Sequence, residues 1–311
     1  MKITFFSNTQ RDNWNNFLAK SNSNLFFFNR NYLDYNKSVV DRSLIILDKN
    51  NNILALFLAD ELNDDLYAYS KLPYGGLIIK EGLKFNKINE ILNEIFNFYK
   101  KKGFKKIIYK KIPNFFCKRA NNYDSYYLFI NNAKIVGVAP TTILDLKKKI
   151  NFSKIVKNSI KKHHKNITKV LNNDQFLVFY NLLKDILKKK YNKLPAHSFN
   201  DLVFLKKKFN KNIIPIGSFA NKDFLGGMIL FIFNNVVHTQ YIAINDKGRS
   251  CGAHDLLTEY IIDNYSFNKD YLSFGISSQD HLGKSPNTGL IRKKESYGGN
   301  LDLIYTYELK F

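Results

Sequence analysis

The sequence predicts a mixed α/β (α+β) protein made of two similar domains in tandem, residues 1–150 and 151–311. Its 311 residues exceed what a single hydrophobic core usually holds. Apolar residues switch along the chain between helical spacing and strand alternation. The order helix, hairpin or meander, glycine-containing break, helix, strand also occurs twice, at a period of roughly 150 residues.

In the first half, RDNWNNFLAK (11–20) places Trp14, Phe17 and Leu18 on one helical face. SLIILD (43–48), the turn KNNN and ILALFLA (53–59) read as a hairpin, two apolar runs around an Asn-rich turn. LYAYS (66–70) reads as a strand that LPYGG (72–76) ends. Phe85, Ile88, Ile91, Leu92, Ile95, Phe96 and Tyr99 recur at helical spacing across 84–102, and KKIIYKKIP (105–113) follows as a basic strand stopped by Pro113. Pieces at 126–130 and 141–146 are expected to be strands that finish a first sheet.

The texture changes near residue 150. INFSKIVKNSIKKHHKNITKVL reads as a basic helix capped at Asn151 or Ser153, followed by helices at 174–190 and 199–209 with NKLPAHS (192–198) between them. IIPIGSFA (213–220), GGMILFIF (226–233) and VVHTQYIAIN (236–245) read as three antiparallel strands joined by short turns. A helix at 253–265, a strand at 271–277, a helix or turn at 287–297 and a strand at 301–309 complete the reading.

With 45% hydrophobic and 15% aromatic residues, the chain can bury sizeable cores and is not an intrinsically disordered segment. Its formal charge of +22 would suit an anionic partner. Arginine, however, occurs only at positions 11, 30, 42, 119, 249 and 292, while Lys, Asn, Ile, Phe and Tyr abound. This is the bias of an AT-rich genome, so most of the charge is expected to be solvated surface. Cys117 and Cys251 lie far apart without ligand spacing, which points to neither a zinc site nor a disulfide framework. The start, MKITFFSNTQ, lacks the apolar run of a signal peptide, and FLGGMILFIF (224–233) is too short to span a bilayer. A cytoplasmic protein is expected, at most peripheral to the inner face of a membrane.

The strongest local chemistry is DKGRSCGAHDLLTEY, where a strand passes through glycines into a helix. Gly248 and Gly252 would let backbone amides approach a ligand, and the helix from Ala253 would point its positive end at a phosphate, with Arg249 adding charge. A plain strand-to-helix turn explains the same residues. His238, alternating with Gln240 on the preceding strand, and His197, in the loop PAHS, are candidate proton acceptors or hydrogen-bonded structural histidines. Asp255 suits a first-turn acid that complements the helix dipole. In NTGLIRKKESYGG (287–299), flanking glycines suggest tight turns or close approach to a ligand; Asn287 could cap the helix, and Lys294, Glu295 and Tyr297 are candidate site groups. KNSIKKHHKN (157–166) and KKKGFKKIIYKK (100–111) are either solvated faces or phosphate contacts, and His163-His164 lacks the spacing of a metal helix.

A meander, a glycine turn, a helix and a further strand resemble the acyl-CoA-binding core of the GNAT superfamily, whose turn reads R/Q-x-x-G-x-G/A. Here that turn is Arg249, Ser250, Cys251, Gly252, Ala253, His254, departing from the pattern at the last position. YGG (74–76), YKKIP (109–113), PAHS, HTQYIA (238–243), SFGIS (273–277) and GLIRKKESYGG (289–299) occur in this order across the whole chain. Together they resemble the FemAB-like double-GNAT acyltransferases, in particular a branch associated with surface-polysaccharide synthesis. Ser273 stands where the pattern leads one to expect Asp, so no carboxylate role transfers there.

The resemblance implies two tandem GNAT-like domains, each a mostly antiparallel sheet flanked by helices, with the acyl-donor site in the second. It implies direct attack of an amine on an acyl-CoA, acetyl-CoA above all, without a covalent enzyme intermediate and without a metal. The absence of a G-x-S-x-G elbow agrees with that. Donor-side residues are then Gln240, Gly248, Arg249, Gly252 and Ala253; catalytic candidates are His238, His197, Glu295 and Tyr297; acceptor-side candidates are Tyr74, Lys110, Ser277, Asn287 and Lys294. The acceptor is expected to be an amino sugar, free or lipid-linked, of a polysaccharide or lipopolysaccharide precursor. A FemAB-type enzyme taking an amino acid from aminoacyl-tRNA to a cell-wall precursor is the alternative, with salt-dependent tRNA binding. A non-enzymatic protein binding RNA or a membrane surface is a third reading, without RNP-type motifs to support it.

Overall fold

A computed structural model describes residues 1–35, 39–280 and 282–311. The chain forms two compact units. The first comprises Met1–Pro140, Ser278–Pro286 and Leu303–Phe311, the second Thr141–Ser277 and Asn287–Asp302.

Unit 1 contains β1 (Lys2–Phe5), α1 (Arg11–Lys20), α2 (Arg30–Leu33), β2 (Val40–Asp41), β3 (Leu44–Leu47), β4 (Ile53–Leu58), β5 (Asp60–Leu62), β6 (Asp65–Tyr67), β7 (Gly76–Ile79), α3 (Phe85–Lys101), β8 (Lys106–Lys110) and α4 (Tyr123–Ile130). β9 (Lys134–Asp145) carries the chain into unit 2. The hairpin expected at 43–59 is β3–β4, pairing Leu44 with Phe57, inside an antiparallel sheet of order β1-β3-β4-β7. α3 packs its expected stripe, Ile88 to Tyr99, into the core, whereas Phe85 stays 44% exposed at its start.

One expected strand is a helix. Residues 126–130 lie in α4, where Tyr127 and Leu128 point into the core and Tyr127 stacks on Phe96. A five-residue apolar run has no readable period, and packing on α3 decides for the helix. The glycines of YGG serve packing here. Gly76 has φ +94°, and a Cβ on it would lie 2.6 Å from the Tyr109 ring.

Unit 2 continues with α5 (Lys154–His163), β10 (Ile167–Val170), α6 (Asn173–Tyr191), α7 (Phe199–Lys208), β11 (Ile213–Ala220), β12 (Asp223–Ile232), β13 (Val236–Ile244), α8 (Asp246–Ser250), α9 (Ala253–Tyr265), β14 (Tyr271–Ile276) and α10 (Thr288–Glu295). β15 (Asn300–Lys310) starts in unit 2 and ends in unit 1. The expected meander is β11-β12-β13, with Met228 opposite Ile216 and Ile242. Ser153 caps α5, its side chain accepting from the Val156 amide. The basic helix ends at His163, and ITKV beyond it forms β10 against β11 because β11 offers an open ladder edge. The core gathers Val156, Met228, Leu230, Leu257, Ile261, Leu272 and Tyr297.

Tyr109 ties unit 1 together, its hydroxyl donating to Asp124 Oδ2 at 2.9 Å and accepting from the Leu77 amide at 3.1 Å. Both Tyr109 and Asp124 are buried. Tyr109→Phe is expected to cost about 1–3 kcal/mol, the price of unpaired buried polar groups. The readout is a lower urea midpoint with an unchanged slope.

Candidate active site

β13 and β14 run parallel but pair only at Val236↔Tyr271, Val237↔Leu272 and His238↔Ser273. Beyond that point β13 stays with β12 as far as Ile244, and β14 stays with β9, with Ile276 opposite Thr141. The facing edges of the two strands therefore lose their ladder, and the sheet opens as a fork. Two irregularities make it. β13 bulges at Gln240, since Leu230 faces Thr239 and Ile229 faces Tyr241, and Gly275 turns β14 at φ +71°.

His238 sits at the branch point. Its Nδ1 lies 3.0 Å from Ser273 Oγ, and a Cβ on Gly275 would stand 3.3 Å from its Cε1. Ser273, not a carboxylate, stands beside the ring. Burial, reinforced by the Lys294 charge, lowers the His238 pKa to about 4, so the ring is neutral at pH 7.

Lys294, on α10, reaches the same end of β14. It is 3% exposed, and its Nζ donates to Gly275 O at 2.7 Å, Ile276 O at 3.1 Å and Ser277 Oγ at 2.8 Å. Burial brings its pKa down to about 7. α10 holds it there through the expected cap, Asn287 Oδ1 accepting from the Leu290 amide at 3.0 Å, while the Asn287 amide donates to Ser277 O at 2.8 Å. Lys294, Ser277, Asn287 and His238 thus belong to one cluster.

The other residues of that stretch face elsewhere. Glu295 is exposed and makes no ion pair with Lys294. Tyr297 is fully buried, its ring stacked on Phe274 and its hydroxyl donating to Asp255 Oδ1 at 2.7 Å, with His254 Nδ1 at 3.0 Å. Burial and the Asp255 charge raise the phenol pKa far above its ordinary value. Asp255, in the first turn of α9 as expected, also takes the Lys293 ammonium. A network of Lys293, Asp255, Tyr297 and His254 so fastens α10 to α9. Neither Asp255's reach across to Lys293 nor Lys294's role as a buried group left a local signal in the sequence, since both depend on partners 17 to 38 residues away.

The glycine turn is more closed than its sequence suggests. The Gly248 amide donates to Asn245 Oδ1 at 2.7 Å, that of Arg249 to Asn245 O at 3.0 Å and that of Cys251 to Lys247 O at 2.9 Å, because DKGRS forms the short helix α8. The Arg249 guanidinium bonds Asp246 Oδ1 and Ile244 O. Both glycines answer to packing. A Cβ on Gly248 would lie 2.1 Å from Leu225 O, and one on Gly252 2.6 Å from Ser159 Oγ of α5. Ala253 is buried at the start of α9.

His197 is buried, with Nδ1 2.7 Å from the Tyr241 hydroxyl of β13, and burial lowers its pKa. Tyr74 and Lys110 belong to unit 1. Tyr74 packs between Phe27 and Phe116, and Lys110 Nζ donates to Ser70 O at 3.1 Å and Leu72 O at 2.6 Å, its pKa brought down to about 8 by burial. Among the described residues no group of His, Cys, Asp and Glu is arranged to hold a metal ion, and no helix is long and apolar enough to cross a membrane.

No family profile matches the sequence, and no curated protein does. Solved structures match along its whole length. FemX superposes with a TM-score of 0.65 at 12% identity, covering 100% of this chain and 98% of its own. The chain has the fold of FemX. A tandem GNAT protein from the clavulanic acid biosynthesis pathway matches at TM-score 0.56 and 8% identity over 99% of this chain and 98% of that one. L-PGS from Bacillus licheniformis matches at 0.61 and 11%, over 97% and 91%. Likeness at such identity speaks for the fold, so activity must be argued from the site.

Lys294 titrates near pH 7 in the fold and near its ordinary value of 10.5 when unfolded. Between these values the unfolded chain binds the additional proton, so stability rises with pH across the window. In wild type the urea midpoint should climb from about pH 7 to about pH 9 more steeply than in Lys294→Met, which lacks that proton. Gly248→Ala is expected to cost about 2 kcal/mol or more through its clash with Leu225 O, read as a lowered thermal midpoint.

Proposed function

We propose that unit 2 is an N-acyltransferase that moves an acyl group from an acyl-CoA, acetyl-CoA in the simplest case, to an amine. The observation that carries this reading is the fork between β13 and β14 with Lys294 and His238 at its base. Strand edges opened in this way offer unpaired backbone groups to an extended amide-bearing chain such as pantetheine, which would lie along β13 as an added strand.

In this reading the amine attacks the thioester carbon, the C–S bond breaks, the thiolate leaves and one amine proton departs. Lys294, with a pKa of about 7, is matched to proton transfer at neutral pH, and its charge, held by Gly275 O, Ile276 O and Ser277 Oγ, would act on the developing oxyanion through space. Neutral His238, held against Ser273, can accept a hydrogen bond from the incoming amine. No nucleophilic side chain is required. The acceptor we propose is an amino sugar of a surface-polysaccharide precursor, supported by the ordered motifs from YGG to GLIRKKESYGG.

The closed glycine turn favours a second reading. If its amides stay paired within α8, the donor is held by other means, and an aminoacyl ester on tRNA fits the +22 charge and the lysines closing α6 and α7. Calorimetric titration with CoA separates the two. Saturable CoA binding supports the thioester, while no binding at millimolar CoA together with salt-dependent retention of charged tRNA supports the ester. Under either donor, Lys294→Ala should lower kcat about a hundredfold or more, whereas Glu295→Ala, on the exposed side of α10, should leave it within a few-fold. Unchanged kcat in Lys294→Ala with the fold intact would remove the proposed role.

A further inference from the structure

Unit 1 carries an exposed apolar surface on the outer side of α4. α4 turns Tyr127 and Leu128 inward and leaves Tyr126 51%, Phe129 76% and Ile130 46% exposed. Phe85, 44% exposed at the start of α3, joins them, its ring centroid 5.7 Å from that of Tyr126 and 6.4 Å from that of Tyr123. Phe85, Tyr123 and Tyr126 line an open hollow of about 500 Å³ with Ala120 and Asn122.

Ala120 and Tyr123 also line a second hollow of about 260 Å³, whose rim carries Lys80, Lys84 and Arg119. All three cations are exposed; Lys84 and Arg119 have no ion-pair partner among the described residues, and Lys80 acts on the Asp48 carboxylate through space. Glu81, which lines the same hollow, takes Lys118 at 2.9 Å. An aromatic and aliphatic tip bordered by exposed cations therefore forms one continuous surface.

Such a surface matches one occupant. At a bilayer, aromatic rings settle at headgroup depth and nearby Lys and Arg pair with anionic lipid phosphates, each cation adding about 1 kcal/mol. A second copy of the chain fits less well, because a two-fold contact would set Lys80, Lys84 and Arg119 against the same cations. We propose that this face of unit 1 seats the protein on an anionic lipid bilayer. Phe85, Tyr126 and Phe129 enter the headgroup region, and Lys80, Lys84 and Arg119 hold lipid phosphates. This is independent of the acyl-transfer reading, since none of these residues belongs to unit 2.

Co-sedimentation of the whole chain with vesicles tests it, using phosphatidylcholine alone and phosphatidylcholine mixed with phosphatidylglycerol. The protein should bind the mixed vesicles and bind phosphatidylcholine far more weakly. Phe85→Ser/Tyr126→Ser/Phe129→Ser keeps the net charge and should weaken binding about tenfold or more, with circular dichroism unchanged. Lys80→Gln/Lys84→Gln/Arg119→Gln should weaken it comparably and reduce its salt dependence. Phe267→Ser in unit 2, a site 74% exposed, should bind as wild type. The proposal is overturned if wild type does not sediment with mixed vesicles or if the triple serine variant binds equally well. It is overturned too if wild type is a dimer that the serine variant converts to a monomer, which would assign the face to a second copy.

Discussion

A buried amino group at the end of β14 is the constraint around which unit 2 is arranged. Removing a lysine from water is costly, and the fold meets that cost by surrounding Nζ with Gly275 O, Ile276 O and Ser277 Oγ. Three acceptors match the three donors of an ammonium, so the site tolerates the cation, while burial lowers its pKa to about 7. The neighbouring elements follow from this placement. Asn287 caps α10 and bonds back to Ser277, and Gly298 closes the helix with its amide on Glu295 O. Tyr297 then enters the core against Phe274 and reaches Asp255 at the head of α9.

The fork and the lysine depend on one another. Had β14 continued alongside β13, the carbonyls of Gly275 and Ile276 would have been available to the ladder rather than to Lys294. The bulge at Gln240 and the positive φ of Gly275 end the pairing at His238 and Ser273. Ser273 faces the buried histidine, whose pKa falls to about 4, while that of the lysine falls to about 7. Charge at the fork is therefore set by burial more than by ion pairing.

Lysines contribute to this protein in two quite different environments. Lys294 and Lys110 are desolvated against backbone carbonyls, with pKa values near 7 and 8. Most of the others are exposed, as the compositional bias of the chain implies. Geometry separates the two kinds, because a surface ammonium keeps its hydration whereas Lys294 and Lys110 exchange it for backbone carbonyls.

Much of the architecture was legible in the residues alone. Helical spacing specified α3, α6 and α7, strand runs with short turns specified the hairpin β3–β4 and the meander β11-β12-β13, and Asn287 was readable as a cap, because these features depend on neighbours within a few positions. Residues 126–130 and 167–170 were misread for the same reason: each is a short run whose conformation is decided by α3 or by the edge of β11. β1 and β7 left no pattern strong enough to read and exist through pairing with β3 and β4. The stretch NTGLIRKKESYGG announced polar groups beside tight turns but not which of them would meet. Residues 294, 295 and 297 are near neighbours in sequence, yet helical geometry sends Lys294 to the fork, Glu295 to solvent and Tyr297 to the core. The sequence by itself determined the long helices, the hairpin, the meander and the tandem order. Only the tertiary structure decided which side chains share a site, because that depends on long-range ladders that end where a bulge and a glycine end them.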